Sequence, residues 1–78
     1  MTACRLNPRE QFVLDNATSF VAYQFRGRGS IAKITLPNRE EAILAAKVLV
    51  DEGLGNGRGA LVYAVSGNAD AVVDIINA

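Results

Sequence analysis

Phe20-Val21-Ala22-Tyr23-Gln24-Phe25-Arg26-Gly27-Arg28-Gly29-Ser30-Ile31-Ala32-Lys33-Ile34-Thr35-Leu36 is the stretch on which the fold turns. Two runs rich in aromatic and β-branched residues flank an Arg-Gly-Arg-Gly centre, which reads as a β-hairpin. A two-residue turn at Gly27-Arg28, with glycine in the first central position, suits the primed turns that match strand twist. Pairing Phe25 with Ser30 then sets Tyr23 opposite Ala32 and Val21 opposite Ile34. By alternation, Val21, Tyr23, Phe25, Ala32, Ile34 and Leu36 form an apolar core face, and Phe20, Ala22, Gln24, Ile31, Lys33 and Thr35 form a mixed one.

C-terminal to the hairpin, Pro37-Asn38 stops the strand, and Asn38 with Glu41 makes a capping-box-like start. The spacing predicts a helix from Asn38 to Glu52, ended by Gly53. Ala42, Ile43, Ala45, Ala46, Leu49 and Val50 fill its apolar stripe, while Leu44 and Val48 stack as a separate ridge at the edge of the polar face. The nearly continuous apolar run Ala60 to Ser66 reads as a central or parallel strand. Ser66-Gly67-Asn68 reads as the cap of a final helix that buries Ala69, Val72, Val73 and Ile76 and wets Asp70 and Asp74.

N-terminal to the hairpin, residues 1 to 6 read as a loose segment. Asn7-Pro8-Arg9-Glu10 is a good helix start, but Gln11-Phe12-Val13-Leu14-Asp15 before a turn also fits a first strand, and strand is preferred. The order is therefore (β)ββαβα, an α+β fold: a small two-layer sandwich in one domain over residues 7 to 78, with a mixed sheet and two helices on one face. Strands 30 to 36 and 60 to 66 are joined by the 38 to 52 helix as a right-handed crossover, and so run parallel.

Composition narrows the function. Half of the 78 residues are hydrophobic, more than a chain of this length readily hides, which leaves apolar surface for a partner. Eight basic and eight acidic residues cancel, removing the overall attraction of a DNA-coating or membrane-surface protein. The first half, through Leu36, nonetheless carries a net +3 and the second half a net −3. A single cysteine excludes an internal disulfide, no run has the ~18 apolar residues of a membrane span, and Met1-Thr2-Ala3-Cys4-Arg5 has no secretory pattern, so the cytoplasm is the expected compartment. With no histidine in the chain, Ser-His and Cys-His nucleophile pairs and histidine-ligated zinc are impossible.

The clearest site candidate is chemical punctuation. Gly53, Gly55, Gly57 and Gly59 alternate in one loop, Gly27 and Gly29 in another, and arginines accompany both. Chain direction brings the two to one end of the sheet, where Arg26, Gly27, Arg28, Gly29, Gly55, Gly57 and Arg58 could hold an anion or nucleic-acid phosphate through backbone N–H groups and guanidinium forks. The glycines follow a helix rather than precede one, and they spell no G-x-G-x-x-G. Cap, connector and turn chemistry therefore accounts for them more simply. Tyr23, Phe25 and Tyr63 could serve as base-stacking platforms, but Tyr23 and Phe25 fall on the expected core face. Asp70 and Asp74, four apart on an expected helix, read as a solvated face rather than a metal or acid/base pair.

The expectation is a non-enzymatic module, with no metal and no cofactor, that associates with itself as a homodimer or with a protein partner. Its interface is placed on Phe20, Ala22 and Ile31 of a sheet face that no helix covers, and on the Leu44 and Val48 ridge. The alternative is an anion or nucleic-acid binding module at the arginine and glycine end.

Overall fold

The computed structural model describes Thr2 to Ala78. Its elements are β1 (Thr2–Ala3), α1 (Pro8–Asp15), β2 (Ser19–Gly27), β3 (Ser30–Leu36), α2 (Arg39–Asp51), β4 (Ala60–Ser66) and β5 (Ala69–Ile76). Five strands in one sheet and two helices make an α+β fold, in the order βαββαββ rather than the expected (β)ββαβα.

Both helices are started by asparagine. At α2 the Asn38 side chain accepts from the Glu41 N–H at 2.9 Å, as the sequence leads one to expect. At α1 Asn7 accepts from the Glu10 N–H at 2.8 Å while Glu10 accepts from the Asn7 N–H at 3.0 Å, a complete capping box with proline in the first turn. Those local bonds decide the 7 to 15 segment for helix and correct the preference for strand. Thr2 and Ala3 pair with Ile75 and Asp74, and the Cys4 N–H donates to the Val73 carbonyl at 2.9 Å. The segment expected to be loose is thus laid along β5, although Met1 lies outside the described residues.

The sheet runs β1-β5-β4-β2-β3, with every neighbouring pair antiparallel. Strands β3 and β4 do run the same way, but β2 lies between them, so the expected mixed pairing does not occur. The C-terminal segment is a strand, not a helix. Gly67-Asn68 forms a two-residue turn between Ser66 and Ala69, with Gly67 at φ 58°, the geometry of a glycine-first hairpin turn. A bulge beside Val73 lets Val72 pair with Tyr63 and Asp74 with Val62. Asp70 and Asp74 consequently lie on opposite faces of the sheet, which removes the carboxylate pair.

The β2–β3 hairpin carries a second slip. Gly27 pairs with Ser30 and Phe25 with Ile31, leaving Arg26 as the extra residue of a bulge. The turn is Arg28-Gly29, both at positive φ, and not Gly27-Arg28. A one-residue slip moves a whole strand to the other face. Phe20, Ala22 and Gln24 therefore join Ala32, Ile34 and Leu36, and Val21, Tyr23 and Phe25 join Ile31, Lys33 and Thr35.

One buried cluster joins Val13 of α1 and Ala42, Ala46 and Leu49 of α2 to Ala22, Ala60, Val62, Ala64, Ala71, Val73 and Ile76 of the sheet. Ala22 is fully buried and Phe20 packs against the cluster; neither lies on an uncovered face, contrary to expectation. Six of the twelve buried apolar residues are alanine and none is aromatic. Alanine lets helix and sheet approach closely, but each methyl removes little apolar area from water. Several larger apolar side chains, Phe12, Phe25, Ile31, Leu44 and Ile75 among them, are left exposed. At the edge of the core Asp74, 1 % exposed, receives Arg39 of α2 through two bonds, Nε to Oδ2 at 2.8 Å and a terminal nitrogen to Oδ1 at 3.0 Å. That fork satisfies the buried carboxylate and raises the Arg39 pKa above its ordinary value, its hydrogen bond to Asp74 being the largest cause.

Candidate functional site

The arginine and glycine end is assembled, but its groups bond mainly to one another. Gln24, 1 % exposed, is the hub: its Nε2 donates to the Arg58 carbonyl at 3.1 Å and its Oε1 accepts from Arg26 Nε at 3.2 Å. Arg26 also reaches Glu52 at 3.5 Å. The Arg58 guanidinium donates to the Gly55 carbonyl at 3.1 Å and covers the Phe25 ring at 5.3 Å from its centroid. Gly55 is buried because Gln24 occupies the space where a Cβ would stand, only 2.4 Å from that position. In the same loop, the Asn56 and Arg58 N–H groups donate to the Gly53 and Gly55 carbonyls. Arg28 stands apart at the exposed tip of the hairpin with Gly29. The expected convergence thus brings Arg26, Gly27, Gly55 and Arg58 together as a structural clasp and leaves Arg28 outside it.

A different surface is open. The strand residues that alternate with the buried cluster are Ile31, Lys33 and Thr35 of β3, Phe25, Tyr23 and Val21 of β2, Leu61, Tyr63 and Val65 of β4, and Ile75, Val72 and Asp70 of β5. No helix residue joins them in the core cluster. Phe25 and Ile31 are 45 % and 49 % exposed. Tyr23 and Tyr63 meet edge to face, with centroids 5.9 Å apart. Around them lies a shallow depression of about 310 Å³, whose walls include Val21, Val65, Ile31, Lys33 and Asp70. Tyr63 has its phenol pKa raised, chiefly by burial, then by Tyr23 and the Asp70 carboxylate. Its neutral form is held on the face through the ordinary pH range.

The expected register puts Ile31 and Lys33 on one face but Tyr23 and Phe25 on the other, and Asp70 on a helix; the structure brings all five together with Tyr63. The signals were present: Gly67-Asn68 between β-branched runs spells a hairpin turn, and Arg28-Gly29 is the better two-residue turn for positive φ at both positions. On α2, Leu44 and Val48 are 60 % and 57 % exposed, a second, smaller apolar surface.

Among the described residues no helix is long and apolar enough to cross a membrane, and no group of three or more metal-ligating side chains gathers. Comparison with protein-family models, with curated proteins and with solved structures yields no match, so what the site can do is read from its geometry alone.

Proposed function

We propose that this chain is a small non-enzymatic cytoplasmic module, two layers thick, that works by associating with a second copy of itself through the open sheet face. One observation carries the proposal: the core is built half from alanine, while Tyr23, Phe25, Ile31, Tyr63 and Ile75 gather on the side away from the helices. A contiguous apolar sheet face of that kind is the ordinary signature of an interface. Four strands at ~4.8 Å spacing and about seven residues each give a face roughly 20 Å on a side. That is smaller than the ~800 Å² per partner of a standard interface, and it favours a micromolar dimer over a tighter one. Ile31→Glu should raise the dimer dissociation constant by about tenfold or more, because the lost contact of a buried isoleucine is worth ~1.5–3 kcal/mol. Leu44→Glu, on α2, serves as the comparison. Sedimentation equilibrium of both variants tests the assignment, which fails if only Leu44→Glu dissociates the protein.

The second reading, an anion or nucleic-acid binding module at the arginine and glycine end, draws on Arg28 at the hairpin tip and on the aromatic residues nearby. It is weaker, because Arg26 and Arg58 spend donors on Gln24, Glu52 and the Gly55 carbonyl, and Asp70 shares the aromatic face.

A further inference from the structure

The open face carries Lys33 and Asp70 on different strands and in different cross-strand rows, in addition to the Arg58 guanidinium that covers Phe25 at its hairpin end. The register places Lys33 in the cross-strand row of Tyr23, Leu61 and Ile75, and Asp70 in the row of Ser19 and Val65, with the row of Val21, Tyr63 and Val72 between them. Across the sheet, Lys33 stands on β3 and Asp70 on β5, with β2 and β4 between. Both side chains belong to the walls of the depression that holds Tyr23 and Tyr63. The midpoint of the line from Lys33 to Asp70 falls at the Val21–Tyr63 pair.

Such a surface is complementary to itself. A two-fold axis lying between two of these faces, passing over Val21 and Tyr63 at right angles to that line, exchanges the Lys33 and Asp70 positions. We infer that the chain forms a face-to-face homodimer on this axis, in which Lys33 of each copy meets the partner's Asp70 and the two tyrosine pairs form the apolar centre. The isologous contact closes after two copies, since each face is then covered by the other. Because the line from Lys33 to Asp70 is oblique to the strands, the two sheets cross steeply, as in orthogonal sheet packing. The charges set the orientation more than the affinity: an exposed ion pair adds little, whereas two like charges forced together at an interface are strongly disfavoured. This inference rests on the proposed association through the open face and adds its partner geometry.

Charge reversal tests it. Both residues are exposed, so Lys33→Glu, Asp70→Lys and the double variant keep the fold, which circular dichroism verifies. Each single reversal sets like charges against one another at two places in the dimer, and should weaken association by at least about tenfold. The double variant restores opposite charges and should return the dissociation constant to within about threefold of the parent. Single variants that associate like the parent, or a double variant as weak as the singles, would overturn this axis while the Ile31→Glu result still upheld the face. A parent that stays monomeric, or that is dissociated by Leu44→Glu and not by Ile31→Glu, would overturn both.

Discussion

Tyr23 and Tyr63 face one another across the β2–β4 boundary with their ring planes 83° apart, on the strand positions that alternate with the buried cluster. Edge-to-face contact aligns the positive edge of one ring with the negative face of the other, and it fixes the centre of the open face before any partner arrives. A preformed aromatic centre reduces the ordering cost of association. The same pair also explains why the alanine-rich core can be small: part of the chain's apolar surface is packed on the outside of the sheet.

Titration of Tyr63 reports that environment. Its pKa lies above the ordinary 10.0, with burial the first cause. Since the folded-state value is raised, the stabilising contribution is fully present below the unfolded value and is lost as pH rises through the folded one. Thermal unfolding followed between about pH 9 and pH 12 should show a falling midpoint, and Tyr63→Phe should lessen that fall. An identical alkaline decline in the variant would show that Tyr63 does not supply it.

At the core edge, Arg39→Ala leaves the Asp74 carboxylate buried without its fork. Breaking a buried pair costs ~3–5 kcal/mol; because the Arg39 side chain remains 36 % exposed, the lower end, about 3 kcal/mol, is expected. Urea denaturation measures it. Arg39→Met with Asp74→Leu should recover most of the loss, and equal destabilisation of the single and double variants would show that the pair is not the cause.

The glycine loop is held by close approach. A Cβ on Gly59 would stand 2.3 Å from the Ile76 carbonyl oxygen, a backbone atom that cannot rotate away. Gly59→Ala should therefore cost at least ~1–3 kcal/mol, the range of overpacked sites. Gly57→Ala meets nothing within 4 Å and should lose only about 1 kcal/mol for its positive φ. Equal denaturation midpoints for the two would contradict the packing described for the loop.

The hairpin tip offers a gain. Arg28 adopts φ 53° ahead of Gly29 at φ 75°, and asparagine is the residue that a turn with two positive φ values prefers at the first place. Arg28→Asn should raise stability by about 0.5–1 kcal/mol. A drop in melting temperature would point instead to a contact made by the guanidinium.

Helix α2 and the hairpin are legible because their signals are local: the Asn38 cap, the Gly53 stop and two β-branched runs about a glycine turn. The faces of β2 are not legible in the same way. One bulged residue, Arg26, reverses them, and nothing in an alternating pattern announces where an extra residue enters. The C-terminal strand was obscured by a second bulge, since Val72 and Val73 adjacent to one another mimic helical spacing once the strand period is broken. Its β-branched content, Val72, Val73, Ile75 and Ile76, favours a strand, and weighing that above the apolar spacing recovers β5. Arg26, Gly27, Gly55 and Arg58 meet at one end while Arg28 stands apart, and their partner Gln24 is not legible because the expected register puts it on the mixed face. The apolar ridge of Leu44 and Val48 depends only on helical spacing, and its exposure follows.

The open sheet face is proposed to hold a second copy of the chain. Light scattering of the eluted protein, over a dilution series from hundreds of micromolar to below one micromolar, tests it most directly. The expected mass is near twice that of the 8.3 kDa chain at the high end, falling toward one copy on dilution, with the midpoint moved to higher concentration by Ile31→Glu. A single-chain mass at every concentration would contradict it.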